Sequence, residues 1–221
     1  MSEIRPLTPD DLDAFVDIVF NAYPGWRDPT KEDKERTREH LCKMHQQEPT
    51  ITLYGCFRQG QLVGGMRMHN FTMNFLGQRI PAGGVGLVAV DLLRKKEHVA
   101  KDMITFFLQH YREQGAPMAM LYPFRPDFYV KMGFGYGTKM DQYRFKPSAL
   151  PKGPSKAHVR YLETSDHAAL RACYERFMDR THGVIAKCEA ELDRMMSSPT
   201  LRVVGYERDG QIQGYLTFTF E

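Results

Sequence analysis

The sequence predicts an α/β protein of the α+β type: a mixed, mostly antiparallel sheet flanked by helices, followed by a partial second domain of the same kind. Three observations carry this. Strand signals dominate from Thr50 to Val90, helical patterns lie on either side of them, and after a proline-rich stretch the opening pattern of the chain recurs. A chain of 221 residues can bury one generous core or two modest ones.

Glu3–Leu7 alternates like a short strand, and Thr8-Pro9-Asp10-Asp11 announces a helix. Thr8 suits the cap, Pro9 the first helical position, and the two acids the positive end of the dipole. Leu12, Phe15, Val16 and Val19 follow at helical spacing. Thr30–Gln47 is heavily charged, and its spacing predicts a solvated second helix with Leu41 and Met44 turned inward. Ile51–Phe57, Leu62–Met73 and Val85–Val90, separated by turns near Gln59-Gly60 and Leu76-Gly77-Gln78, read as an antiparallel meander. Lys95–Glu113 is a long amphipathic helix ended by Gly115 and Pro117. A short buried strand (Met118–Tyr122), a short helix (Pro126–Lys131) and a final strand (Lys139–Phe145) complete a domain over 1–146.

The segment 147–157 holds prolines and glycine with little to bury and reads as a linker. Beyond it come a strand at His158–Leu162, a cap at Ser165-Asp166, a helix, a charged segment at Ala186–Ser197, and strands at Leu201–Glu207 and Gln211–Phe220. Residues 158–221 thus mirror residues 3–73 element by element, a repeat of pattern rather than identity. Nothing follows that corresponds to Val85 onward, and the expectation is a truncated chain.

Thirty lysines and arginines against 27 acids leave a net charge of +3, too small to argue for a nucleic-acid or membrane partner. The N-terminus has no apolar leader segment. Cys42, Cys56, Cys173 and Cys188 form no CxxC pair and no metal-ligand spacing, so a reduced, cytoplasmic protein without a metal is expected.

The chemistry-bearing segment begins at Val88-Ala89-Val90, an apolar strand that leads into Arg94-Lys95-Lys96-Glu97-His98-Val99-Ala100 and a long helix. Unpaired amides at a helix start, with the dipole behind them, can hold a pyrophosphate, and Lys95 and Lys96 add charge. The strand can offer its backbone to an amide-bearing arm. Phe128-Tyr129-Val130-Lys131-Met132-Gly133-Phe134 follows, extended to Gly137 as a glycine-aromatic-glycine turn.

Together these segments resemble the GNAT superfamily of N-acetyltransferases, most closely the bacterial Eis (enhanced intracellular survival) family. The resemblance covers residues 1–146 well and 158–221 loosely. It implies a GNAT fold that uses acetyl-CoA, bound by Val88, Ala89, Val90, Lys95, Lys96, His98, Val99 and Ala100. It also implies Tyr129 as the general acid for the departing thiolate, and a primary amine acceptor on an aminoglycoside, a polyamine or a lysine, in an enzyme that can form homo-oligomers. The family pattern Gln/Arg-x-x-Gly-x-Gly/Ala reads here Lys95-x-x-His98-x-Ala100, so His98 stands in place of a glycine. In the resembling enzymes the amine enters beside the first two helices, which puts Trp26, with Tyr23, on one wall and Phe124 on the other. The family's base, a terminal carboxylate, has no counterpart here; Glu97 and Asp127 are the acids nearest in sequence. The alternative is a catalytically weak or inactive acetyl-CoA-binding or structural protein.

Overall fold

The computed structural model describes every residue except Met1, Trp26, Arg27, Thr138, Met140, Pro151 and Glu221. By chain contacts it divides into two compact units, one of Met1–Met73 with Gln78–Met132, the other of Asn74–Gly77 with Gly133–Glu221.

The first unit runs β1 (Glu3–Pro6), α1 (Leu12–Ala22), α2 (Lys31–Gln47), β2 (Ile51–Arg58), β3 (Gln61–Phe75), β4 (Gln78–Val90), α3 (Val99–Glu113), β5 (Met118–Leu121) and α4 (Pro126–Val130). Its five strands lie in the order β1-β2-β3-β4-β5. The pairs β1/β2 and β2/β3 are antiparallel, whereas β4 and β5 are parallel. Parallel strands need a crossover, and α3 supplies it.

Each face of this sheet is covered by helix, which is why its central strands carry apolar residues on both sides. Leu12, Phe15, Val16 and Val19 of α1 are buried with Leu41 of α2 and with Leu53 and Ala89 of the sheet. On α3, Val99, Met103, Phe107 and Tyr111 are buried. Tyr111 comes so close to β4 that a Cβ on Gly83 would lie 2.4 Å from its ring, so only glycine fits there. The Tyr111 hydroxyl donates to the His69 carbonyl and to Asn70 Oδ1, both at 2.8 Å, which satisfies a phenol buried against the strands. On α2 the Thr30 hydroxyl accepts from the Asp33 amide, and the solvated face carries Arg36–Glu32 at 2.6 Å, a pair worth only tenths of a kcal/mol.

The second unit contains β6 (Val159–Tyr161), α5 (His167–Arg180), α6 (Glu189–Ser197), β7 (Arg202–Arg208) and β8 (Gln211–Phe218), with an antiparallel sheet in the order β6-β7-β8 around Leu162, Leu170, Leu192, Val203 and Ile212. Its local structure repeats that of β1 to β3 in detail. Arg5 pairs with Asp11 at 2.8 Å and Arg160 with Asp166 at 2.7 Å, each pair six residues apart and bridging a strand to a short 3-10 turn. Gly55 sits where a Cβ would strike Leu7 and Leu62; Gly205 sits likewise against Leu162 and Ile212. Both β-ladders shift register one residue beyond the strand centre, at Cys56/Phe57 and at Tyr206/Glu207. A β-bulge, a glycine seat and an ion pair recurring together mark one β-α-α-β-β frame used twice.

Two expectations need correction. The helix expected from Lys95 starts at Val99, because Lys96 and His98 have positive φ and cannot continue a right-handed helix. No strand forms over Asp141–Lys146: these residues are all exposed, and the alternating Tyr143 and Phe145 find no neighbouring strand to bury them. The segment 147–157 carries only short 3-10 turns, Pro147–Ala149 and Pro154–His158.

The hydrogen bonds from Arg5, aided by those from Thr8, hold the Asp11 carboxyl at about 2 despite its burial. Since an unfolded Asp titrates near 3.9, this stabilisation is present above about pH 4 and is lost as pH falls towards 2. Asp11→Asn should therefore cost about 1 kcal/mol at pH 7, allowing for solvent screening around Arg5. Urea denaturation across pH should show that difference closing between about pH 4 and 2.

Candidate functional site

The site is built where two strands part. β4 and β5 pair through Ala82–Val85 and Met118–Leu121, and β5 then ends while β4 continues to Val90. Within that overhang Leu87 has φ 50, a left-handed backbone that a leucine adopts only under constraint. The chain bends there, and beyond the bend β4 has no parallel neighbour. On that side the backbone of residues 86–90 has no β5 partner, and this gap between the strands is the candidate cleft.

One wall of the cleft comes from α1. Tyr23, just past its end, donates its hydroxyl to the Val88 carbonyl at 2.8 Å. Burial chiefly, then the neighbouring Tyr129, pushes the Tyr23 phenol up to about 12, against an opposing effect of Arg67. Phe124, 66% exposed, meets the Tyr23 ring edge-on with centroids 6.1 Å apart. Trp26 lies outside the described residues.

Tyr129 comes from α4, a helix of one turn that Pro126 opens. It is 5% exposed, packs edge-on against Phe128, and its phenol is raised by burial. Tyr129 and Tyr23 are thus brought within electrostatic reach of each other from opposite ends of the unit. The floor is β3. Arg67 lies beside Gly86, with Nη2 3.6 Å from where a Cβ on that glycine would stand. Its Nε donates to His69 Nε2 at 2.9 Å and its Nη1 to Met44 Sδ at 3.7 Å. His69 stacks on Phe71 and is pushed down to about 4, by burial first and Arg67 second, so it is neutral at physiological pH.

The far end of the cleft is the loop before α3. Asp91 turns the chain by accepting from the Leu93 amide, and Leu92–Arg94 form a 3-10 turn. Lys96 (φ 69) and His98 (φ 63) are left-handed with residues of ordinary φ before each, an alternation that makes concave arrays of amides suited to anions. The first helical bond runs from the Asp102 amide to the His98 carbonyl, so the amides of Val99, Ala100 and Lys101 precede any intrahelical donor. Lys95, Lys96 and His98 are exposed around that opening, Val99 and Ala89 are buried, and Val88, Val90 and Ala100 are half-buried.

The loop is braced by a residue the sequence reading passed over. Arg58, at the end of β2, donates to the Glu97 carbonyl at 2.9 Å, to Glu97 Oε2 at 3.1 Å and to Asp102 Oδ2 at 3.0 Å. Glu97 is thereby a structural anchor. Asp127 is clamped by Arg125 at 2.7 Å, and that bond holds its carboxyl below the usual range. Both acids that lie nearest in sequence are thus paired with arginines. Among the described residues no group of acids, histidines and cysteines could hold a metal ion.

A parallel pair that splays at a left-handed bend, above an amide-rich loop and a buried tyrosine, is the setting in which the family assignment is decided. Residues 3–137 match the acetyltransferase (GNAT) domain family. The chain belongs to that family. An N-acetyltransferase of Streptomyces avermitilis, otherwise uncharacterised, is 26% identical over 98% of this chain and 54% of its own length. GCN5-related N-acetyltransferases of known structure from Kribbella flavida (TM-score 0.78, 16% identity) and Anabaena variabilis (TM-score 0.75, 18% identity) share the fold over 100% of this chain and 54% and 55% of theirs. The chain spans about half the length of the relatives it matches. No helix among the described residues is long and apolar enough to cross a membrane.

The GNAT loop departs from the family pattern at His98, whose left-handed backbone a glycine would adopt freely. His98→Gly should raise stability by about 0.5 kcal/mol, the relief of left-handed strain less the entropy of the added glycine, whereas His98→Ala should give no gain. A shift in urea midpoint at unchanged m-value would measure it.

Proposed function

We propose that this GNAT domain transfers acetyl from acetyl-CoA to a primary amine, that the chain is of the Eis-like kind, and that it works in the cytoplasm. The observation that carries the reading is a buried Tyr129 close enough to act on the phenol of Tyr23, whose hydroxyl in turn donates to the Val88 carbonyl of β4. The repeated β-α-α-β-β frame supports the Eis-like branch, as does similarity that spans both units of the chain. The four cysteines are free thiols, in keeping with a reducing compartment.

The residues present fit the coenzyme. Val99 and Ala100 lead with unpaired amides at a helix start, and Lys95, Lys96 and His98 stand exposed around them to meet the pyrophosphate. Val88, Ala89 and Val90 present strand backbone to the pantetheine arm; the Val88 carbonyl is engaged by Tyr23, so that hydroxyl yields or shares its acceptor when the arm binds. The thioester supplies the activated acetyl. The amine nitrogen forms a bond to the carbonyl carbon and the carbon–sulfur bond breaks. Tyr129 gives its proton to the departing sulfur and regains one from the new amide's nitrogen through water. Burial keeps the Tyr129 phenol protonated well past neutrality, as this role requires. Glu97 and Asp127 are tied to arginines, so water carries the amine's proton away. Phe124 and Tyr23, expected on opposite walls, meet edge-on and together form one aromatic wall for the acceptor.

Tyr129→Phe should lower kcat by about 100-fold while coenzyme-induced stabilisation against melting persists. The pH profile should rise as the amine deprotonates and should not fall until above about pH 10, since the acid is raised from the ordinary phenol value. Release of CoA thiol with amine acceptors measures both. Unchanged kcat in Tyr129→Phe rules out the acid role, and coenzyme binding without thiol release on any amine favours a non-catalytic binding protein.

A further inference from the structure

We propose that Arg58 is a positioning residue for the coenzyme: it fixes the loop before α3 in the conformation that takes the pyrophosphate, and so sets the affinity for acetyl-CoA. This rests on reading that loop as the pyrophosphate site and goes further by assigning the shape of the site to a residue on another strand. Arg58 closes β2, and its guanidinium reaches three groups of the loop and helix start at once. Nη2 donates to the Glu97 carbonyl at 2.9 Å and to Asp102 Oδ2 at 3.0 Å, and Nη1 donates to Glu97 Oε2 at 3.1 Å. Nε donates to the Ser2 hydroxyl at 2.9 Å, which in turn donates to Asp102 Oδ2 at 2.7 Å.

The residue gripped at both its carbonyl and its carboxylate stands between the two left-handed ones. Lys96 (φ 69) and His98 (φ 63) each hold a backbone that residues with a side chain disfavour, and Glu97 is the link between them. Asp102 lies one turn further on, where its amide makes the first bond of α3 to the His98 carbonyl. One planar fork therefore fixes the middle of the loop and the first turn of the helix together. Arg94 stands 3.9 Å from Glu97 Oε1 and offsets that carboxylate's charge, but charge alone does not orient the Glu97 carbonyl. Without the guanidinium the loop is free to leave its left-handed conformation, and the coenzyme binds only the molecules that keep it. A tenfold fall in that fraction raises the apparent Kd about tenfold. Once bound, the coenzyme holds the loop in place itself, so the chemical step proceeds as before.

The test uses the full chain. Calorimetry follows CoA binding, and thiol release follows acetyl transfer to spermidine, kanamycin and lysine from acetyl-CoA or from S-acetylpantetheine, which lacks the pyrophosphate. Arg58→Gln should raise the Kd for CoA and the KM for acetyl-CoA about tenfold or more, with kcat, and kcat/KM for S-acetylpantetheine, within about twofold of the parent chain. Arg58→Lys keeps the charge but not the fork, and should still bind CoA at least about threefold more weakly than the parent; it carries the test alone if the glutamine variant does not fold. Asp11→Asn, which loosens the clasp elsewhere in the unit, should leave the Kd for CoA unchanged and so separates positioning from lost stability. Unaltered CoA affinity, full recovery in Arg58→Lys, a loss confined to kcat, or an equal loss with S-acetylpantetheine overturns the inference and leaves acetyl transfer standing. Weaker CoA binding in both Arg58 variants, without thiol release by the parent on any acceptor, upholds the inference and overturns acetyl transfer. A parent chain that does not bind CoA overturns both.

Discussion

The first unit is organised around a single discontinuity in its hydrogen bonding. β4 is held on both sides as far as Val85 and on one side beyond it, and Leu87 bends the chain at the changeover. A strand interior left without a partner is costly, because its amides and carbonyls must be satisfied by something. Here the Val88 carbonyl takes the Tyr23 hydroxyl and the Asp91 amide returns to the Val63 carbonyl, while the rest of the overhang opens on the cleft. Arg67 on β3 stands beside Gly86 of β4, and α4 supplies a buried tyrosine close to Tyr23.

Conformational strain is concentrated at the same end of β4. Leu87, Lys96 and His98 all take left-handed backbone without being glycine, each at a cost of about 1–2 kcal/mol, and they occur within twelve residues of one another. Such outliers persist only where surrounding contacts over-determine them. Arg58 provides those contacts for the loop by grasping the Glu97 carbonyl and the Asp102 carboxylate together, with Ser2 bridging Arg58 to Asp102. The loop is thus tied to β2 and to the N-terminal segment.

Elements marked by periodicity were legible in the sequence: the stripe of α1, the meander of β2 to β4, the amphipathic α3, and the recurrence that yields β6 to β8. So was the tyrosine segment, whose spacing survives as a short helix. The sequence was silent where backbone conformation overrode side-chain pattern. Lys95–His98 carries good helix formers, yet two left-handed residues delay the helix to Val99. Asp141–Phe145 alternates like a strand but has no neighbour to pair with. Tyr23 was read as a wall of the pocket, but its bond to Val88 depends on a bend that no residue type announces. Nothing in the sequence marks Arg67, whose approach to Gly86 is visible only in the fold.

The two units share a frame of three strands: β1-β2-β3 in one, β6-β7-β8 in the other, with the Arg–Asp clasp, the glycine seat and the bulge in common. In the second unit the clasp residue Arg160 and Glu207 at the bulge line a surface pocket. Of the residues proposed to act on coenzyme and amine, those from the bend at Leu87 to the phenol of Tyr129 lie beyond the frame, while Tyr23 belongs to it. The repeated frame is held together by packing and a clasp, and in the first unit the sheet continues past β3 into β4 and β5, which pair over only part of their length.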